Sequence, residues 1–285
     1  MTALIAAEDV QLIISDVDGT LLTSQHTVHP RTVDAIHRIR RMRPDIPVVL
    51  ASGKQFVSCE SIRKQLHLDG CPAIHCHGSL IYDDTGKLLN TFALAPELAL
   101  GLIAKLQELN LTAFAFTHDE VAVVNREQGG KTDWVEIGRK YDKNIVEVDV
   151  SAYLASIESG KIQVVKVTGC CSDEQHLIQK AIDAIQSRFP QEQVTVTRAI
   201  SFILECVPAK INKARALQTL CDELGISPAQ VIAFGDGEND EGMLRLAGCG
   251  VAMANSMPTV QQYSDHVTTS NDAGGVGEFL DRIFA

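Results

Sequence analysis

A chain of 285 residues, 45% of them hydrophobic and 21% charged, is long enough for about two domains and apolar enough to bury a core in each. The 36 acids against 25 Lys and Arg leave a net charge of −11, and the densest basic run, Arg38 to Arg43, reads as the solvated end of a helix, so no basic stripe for nucleic acid is expected. No apolar run reaches the roughly 18–20 residues of a transmembrane helix, and Met1 to Asp9 holds no Lys or Arg, which argues against a membrane partner or targeting peptide and for a cytoplasmic protein. The 8 cysteines include no Cys-x-x-Cys, and Cys71 with His75-Cys76-His77 matches no zinc spacing, so reduced thiols are expected.

In chain order, Gln11 to Ser15 is a short apolar run that breaks at Asp16. Arg31 to Arg43 carries Val33, Ile36, Ile39 and Met42 at helical spacing. Val48 to Ala51 predicts a buried strand, Phe56 to Leu68 a helix and Ala73 to Cys76 a third strand. Strand, helix, strand, helix, strand predicts a parallel sheet with right-handed crossovers.

From residue 84 the pattern changes. Leu88 to Phe92, Thr112 to Thr117, Val121 to Val124, Val164 to Gly169, Val194 to Thr197 and Phe202 to Cys206 predict strands, with Thr117 to Glu120 as a hairpin turn. Glu97 to Leu109 and Asp173 to Arg188 predict helices with apolar stripes. The expected architecture is therefore a Rossmann-like α/β core over residues 1–83 and 201–285, with an α+β domain over 84–200 inserted into it. The core pattern then returns: helix Lys213 to Leu224, a helix-start signal at Ser227-Pro228-Ala229-Gln230, strand Val231 to Phe234, helix Asp240 to Leu246, strand Cys249 to Ala252 and a closing helix Glu278 to Phe284.

The chemistry-bearing residues sit at the ends of the apolar strands. Asp16 and Asp18 follow the first strand two residues apart, where open α/β sheets place their ligands and where strand alternation would start them on one side. Paired carboxylates there are costly without a cation, although Asp18-Gly19-Thr20 is also good turn chemistry. A second acidic cluster, Asp236 with Asn239 and Asp240, follows strand Val231 to Phe234. Oxygen-only ligands converging on one point suit a hard cation such as Mg²⁺. Ser52-Gly53-Lys54, expected at a helix N-terminus, and Lys213, opening its helix, are candidate phosphate-binding groups.

Asp16-Val17-Asp18-Gly19-Thr20, Ser52-Gly53, Lys213 and Gly235-Asp236-x-x-Asn239-Asp240, in that order, resemble the haloacid dehalogenase superfamily, in particular Cof-type phosphatases with a cap of the second type. The resemblance covers essentially the whole chain and assigns the inserted domain as the cap. It implies Asp16 as nucleophile and Asp18 as general acid/base. It further implies magnesium held by Asp16, the Asp18 carbonyl and Asp236, with Asp240 supporting from behind, and the phosphoryl oxygens held by Ser52, Gly53, Lys213 and Asn239. Three departures touch substrate contact or cap motion: Lys54 stands where the family has Arg, His77-Gly78 replaces Asn-Gly, and Lys210 and Ala214 replace glycines, leaving Lys210 close enough to compete with Lys213 as the family lysine. The expected activity is hydrolysis of a small phosphorylated metabolite, such as a sugar phosphate, by a monomer. A phosphomutase and a catalytically silent phosphate-binding protein are the alternatives; a carbon dehalogenase fits the acidic quartet less well.

Overall fold

The computed structural model describes residues 4–171 and 175–284. The chain separates into two units, Met1–Asn90 with Asn212–Ala285, and Thr91–Ile211. In chain order the first stretch forms β1 (Leu12–Ser15), α1 (Pro30–Met42), β2 (Val48–Ala51), α2 (Glu60–Gln65), β3 (Ala73–His75), β4 (Leu80–Tyr82) and β5 (Leu88–Thr91). The middle forms α3 (Pro96–Glu108), β6 (Thr112–Phe116), β7 (Val121–Asn125), α4 (Trp134–Gly138), β8 (Ile145–Glu147), α5 (Val150–Glu158), β9 (Lys166–Cys170), α6 (Gln175–Arg188), β10 (Val194–Ile200) and β11 (Ile203–Pro208). The last stretch forms α7 (Lys213–Leu224), β12 (Val231–Gly235), α8 (Glu241–Leu246), β13 (Cys249–Ala252), α9 (Pro258–Gln261), β14 (His266–Val267) and α10 (Gly275–Ile283).

The first unit is an eight-stranded sheet in the order β14-β13-β12-β1-β2-β3-β4-β5. Its neighbours from β14 to β3 pair in parallel, and β4 returns antiparallel to β3. Every residue of β1, β2, β12 and β13 is buried, as a parallel sheet covered on both faces requires. The α1 face that carries Ala35, Ile36 and Ile39 joins the core, where Phe234 meets Phe279 edge to face at 5.8 Å. At the solvated end of α1, Arg38 pairs with Asp281 at 2.6 Å and, just past the helix, Arg43 pairs with Asp45 at 2.8 Å.

The second unit is a six-stranded sheet in the order β10-β11-β9-β6-β7-β8, antiparallel except for the β7–β8 pair. Leu98, Leu102, Ile103 and Leu106 of α3 pack with Ala113, Val124, Val167 and Leu204 in its core. The expected hairpin closes with the Thr117 N–H donating to the Glu120 carbonyl at 2.9 Å.

Several boundaries differ from expectation for local reasons. The units divide after Asn90 and after Ile211, beyond the expected 83 and 200. β5 extends the first sheet, and β11 is a strand of the second. The helix expected over Phe56 to Leu68 is a 3-10 turn, Val57–Cys59, and six residues of α2, and His67 beyond it is left-handed at φ 52°. β3 stops at His75 because Cys76 turns left-handed. Ser227 and Gln230 do form a reciprocal capping box, but around three residues of 3-10 turn that run straight into β12. α10 starts earlier than Glu278: Gly277 lies against α1, where a Cβ would be 2.7 Å from the Arg31 carbonyl. The short elements α4, β8 and α5 were not expected, although Asp133 and Asp149 cap the two helices. Asp173, the expected start of α6, lies outside the described residues. All eight cysteines are free and buried.

Candidate active site

β1 and β12 lie side by side with Ser15 opposite Phe234, so the residues that follow them leave the sheet together. The Asp16 N–H donates to the Phe234 carbonyl at 3.0 Å, which ties the first acidic segment to the strand that carries the second. Asp240 folds back under its own turn, its Oδ2 accepting from the Asp236 and Gly237 N–H groups at 3.0 Å each. A side chain at Gly235 would collide with Asp240, so this glycine keeps the turn closed. Lys213 is the first residue of α7, whose Asn212 cap accepts from the Arg215 N–H at 2.9 Å. The Lys213 side chain is fully buried, and its Nζ donates to Asp240 Oδ1 at 2.6 Å and to Asp16 Oδ1.

One buried ammonium thus faces three acids, since Asp16, Asp236 and Asp240 each bring a carboxylate oxygen within 4.8 Å of the others. The Asp16 carboxyl is pushed up to about 8; burial dominates, Lys213 opposes it, and Asp240 and Asp236 add to it. Burial also raises Asp236, against the hydrogen bond that Thr20 Oγ1 donates to its Oδ1 at 2.7 Å. For Lys213 burial favours the neutral amine, but Asp16 and Asp240 outweigh it and hold the pKa above the ordinary lysine value. Negative charge therefore exceeds positive in an all-oxygen donor set of two buried carboxylates and one half-buried one. That combination fits a hard divalent cation, which would return Asp16 to its carboxylate form.

Asp18 takes a different position. β1 ends at Ser15, so strand alternation does not extend to Asp18 as expected; it stands exposed, its Oδ1 accepting from Lys54 Nζ at 2.6 Å. Between the two acids and Asp236 runs Gly19, left-handed at φ 83° and so close to the Asp236 carboxylate that a Cβ would overlap it. Ser52 is buried, with its Oγ accepting from the Lys54 N–H at 3.1 Å. The Ser52–Lys54 loop is not at a helix N-terminus as expected, because α2 begins only at Glu60. Asn239 is exposed and folds over Gly237 instead of joining the Lys213 cluster. Lys210 is exposed and left-handed at φ 63°, which shows why a glycine suits that position; Lys213 is the lysine against Asp16.

Three further residues, none of them assigned a site role by the resemblance, shape the site. Thr20 orients Asp236. Asn255 donates from Nδ2 to the Gly19 carbonyl at 2.8 Å, across 236 residues. His77 packs on Gly53. A threonine closing Asp-x-Asp-Gly-Thr is a local signal, and His77-Gly78 stands out as a departure from the family's Asn-Gly; Asn255 carries none, because its contact is made only by folding.

Behind the loop, His75 is fully buried, its Nδ1 3.1 Å from the Lys54 carbonyl and its Nε2 without a partner. Burial pushes its pKa down from 6.5 to about 3. The unfolded chain then binds more protons than the folded one, so stability is full above pH 6.5 and falls as the pH drops toward 3. The loss reaches on the order of 4 kcal/mol at the acid end. In His75→Leu the acid limb of a denaturation series between those pH values should flatten, whatever the variant's absolute stability; an unchanged slope would contradict the assignment.

Comparison with known proteins places the chain in a family. The sequence profile of haloacid dehalogenase-like hydrolases matches residues 13–280. An uncharacterized hydrolase of Schizosaccharomyces pombe is 34% identical over 287 residues, spanning 97% of this chain and 91% of the relative. A 5-amino-6-(5-phospho-D-ribitylamino)uracil phosphatase of Bacillus subtilis is 26% identical over 96% of this chain and 97% of its own. Among solved structures, a haloacid dehalogenase-like hydrolase from Bacteroides thetaiotaomicron superposes with a TM-score of 0.84 at 27% identity, covering 96% of this chain and all of that one. With the acids at the ends of β1 and β12, the buried lysine between them and a profile match across both units, the chain belongs to the family of haloacid dehalogenase-like hydrolases.

Proposed function

We propose that the chain is a magnesium-dependent phosphatase that releases phosphate from a small phosphorylated metabolite through an aspartyl-phosphate intermediate. The observation that carries this reading is the buried ammonium of Lys213 bridging Asp16 and Asp240, with the Asp236 carboxylate beside them. Asp16 Oδ attacks phosphorus while the bond to the ester oxygen breaks, and Asp18 gives its proton to the departing alkoxide. Asp18 then takes a proton from water as that water attacks the phosphoenzyme, which releases phosphate and restores Asp16. Lys54 orients the Asp18 carboxyl, and Lys213, Ser52, the Gly53 amide and Asn239 hold the phosphoryl oxygens. Asp16, Asp236 and the Asp18 carbonyl would hold Mg²⁺, with Asp240 bracing them through Lys213 and the turn amides. When bound, the ion supplies positive charge against the carboxylates and the phosphoryl oxygens.

The second unit serves in this reading as the cap that recognises the leaving group. The phosphate ester named for the Bacillus subtilis relative supports a polyol-type phosphate as substrate class. Among the described residues no helix is long and apolar enough to cross a membrane. In this reading the protein is a cytoplasmic monomer acting on a small metabolite, without nucleic acid or membrane partner.

Phosphate release across sugar phosphates, nucleotides and cofactor phosphates, measured with Mg²⁺ and with excess EDTA, tests the reading. Release is expected with Mg²⁺ and not with EDTA. Release undiminished by EDTA would contradict the metal assignment. Absence of release, with turnover restored by a bisphosphate, would identify a mutase. Thr20→Val should weaken activation by Mg²⁺ by about tenfold, because Asp236 loses the hydroxyl that orients it; a Mg²⁺ titration of activity that matches wild type would remove Thr20 from the site.

A further inference from the structure

Three consecutive residues between β3 and β4, Cys76, His77 and Gly78, hold φ values of 50°, 58° and 103°. Only the glycine is at ease there; the other two are strained, and such strain persists where the surroundings over-determine it. The surroundings here are the Ser52–Lys54 loop and the start of α7. The Cys76 N–H donates to the Lys54 carbonyl at 3.1 Å, and the His77 N–H to the Ser52 carbonyl at 3.0 Å. Gly78 sits so close to Asn212 that a Cβ would stand 2.5 Å from the Asn212 carbonyl oxygen, one residue before Lys213. Both carbonyls that flank Gly53 are thereby drawn toward the turn. A carbonyl oxygen aimed at a phosphoryl group would repel it, so engaging both leaves the loop electrostatically suited to an anion.

The His77 ring completes the arrangement. A Cβ on Gly53 would lie 2.5 Å from its Cε1 and 2.6 Å from its Nε2. Gly53 is not among the left-handed glycines, so the ring, and not the backbone conformation, is what requires glycine at this position. We infer that His77 is a positioning residue for the anion loop: the strained turn braces its imidazole against Gly53 and so sets where the loop backbone meets a phosphoryl group. The inference rests on the phosphatase reading and extends it to a residue outside the acidic cluster.

Four variants of the full chain test it: Gly53→Ala, His77→Gly, the double variant, and His77→Phe, which keeps a flat ring. Each is titrated calorimetrically with inorganic phosphate in the presence of Mg²⁺, and its thermal midpoint is recorded. Gly53→Ala should weaken phosphate binding by about tenfold or more, since displacement of a binding loop by an ångström has effects of that size or larger. The double variant should bind no worse than His77→Gly alone, because the new methyl enters the space the ring vacated, a plain failure of additivity. His77→Phe should bind phosphate within about threefold of wild type, because a phenyl ring supplies atoms at the ring positions that face Gly53. Additive losses in the double variant would overturn the ring contact. Coupling in the thermal midpoints with phosphate binding unchanged in all four variants would overturn the positioning role and leave a structural turn. Failure of wild type itself to bind phosphate would instead overturn the phosphatase reading, a result distinguishable from the other two.

Discussion

Asp16→Asn is expected to abolish turnover, by about 10⁴-fold or more, while the protein stays folded. The amide keeps an oxygen for Lys213 Nζ but cannot attack phosphorus, so the covalent step is lost. Stability should change little or rise, because the substitution removes a group whose charged form burial disfavours, as its pKa of about 8 records. Phosphate release together with thermal unfolding separates the two effects. A folded Asp16→Asn variant that still released phosphate at the wild-type rate would remove Asp16 as nucleophile and with it the proposed reaction.

Lys213→Ala is expected to act on both fold and rate. The lysine is the ammonium in contact with Asp16 and Asp240, and its removal leaves two buried carboxylates without it. Breaking a buried pair in this way costs about 3–5 kcal/mol, seen as a lower denaturation midpoint. Loss of one donor to the developing charge costs about 10²–10³ in kcat. Lys210→Ala is the internal comparison: Lys210 is exposed, and its replacement should stay within about 0.5 kcal/mol of wild type. Were Lys210→Ala the damaging change and Lys213→Ala mild, the lysine assignment would be reversed.

Much of this site was legible before folding, and the reason is local. Asp16 and Asp236 each follow a run of apolar residues that only a doubly covered strand accommodates, and such strands in a parallel sheet present their C-terminal ends together. Lys213 is legible as the opening residue of a periodic helix and is the preferred lysine, with Lys210 close enough in sequence to compete. The left-handed φ of Lys210 and the burial of Lys213 separate them, and neither is a property of the local sequence. The phosphate loop was misplaced at a helix start because Phe56 to Leu68 has helical periodicity; the chain instead spends it on a 3-10 turn and a six-residue helix. The phosphate role of Asn239 comes from the family resemblance alone, and the turn at Glu238–Asp240 leaves its side chain exposed, outside the buried Lys213 cluster.

The two-part organisation, the parallel character of the core and the identity of the acidic residues are all readable from residue order, because apolar runs and their breaks are encoded within a few neighbouring positions. Folding was needed to reveal the divergence of Asp18 toward Lys54, the bridging of Asp16 and Asp240 by Lys213, the anchoring of Gly19 by Asn255 and the packing of His77 on Gly53. Lys213 stands 197 positions from Asp16, and Asn255 lies 236 from Gly19. Contacts at such separations depend on the register of β12 against β1 and on backbone turns held left-handed by their surroundings, and neither leaves a periodic trace in the chain.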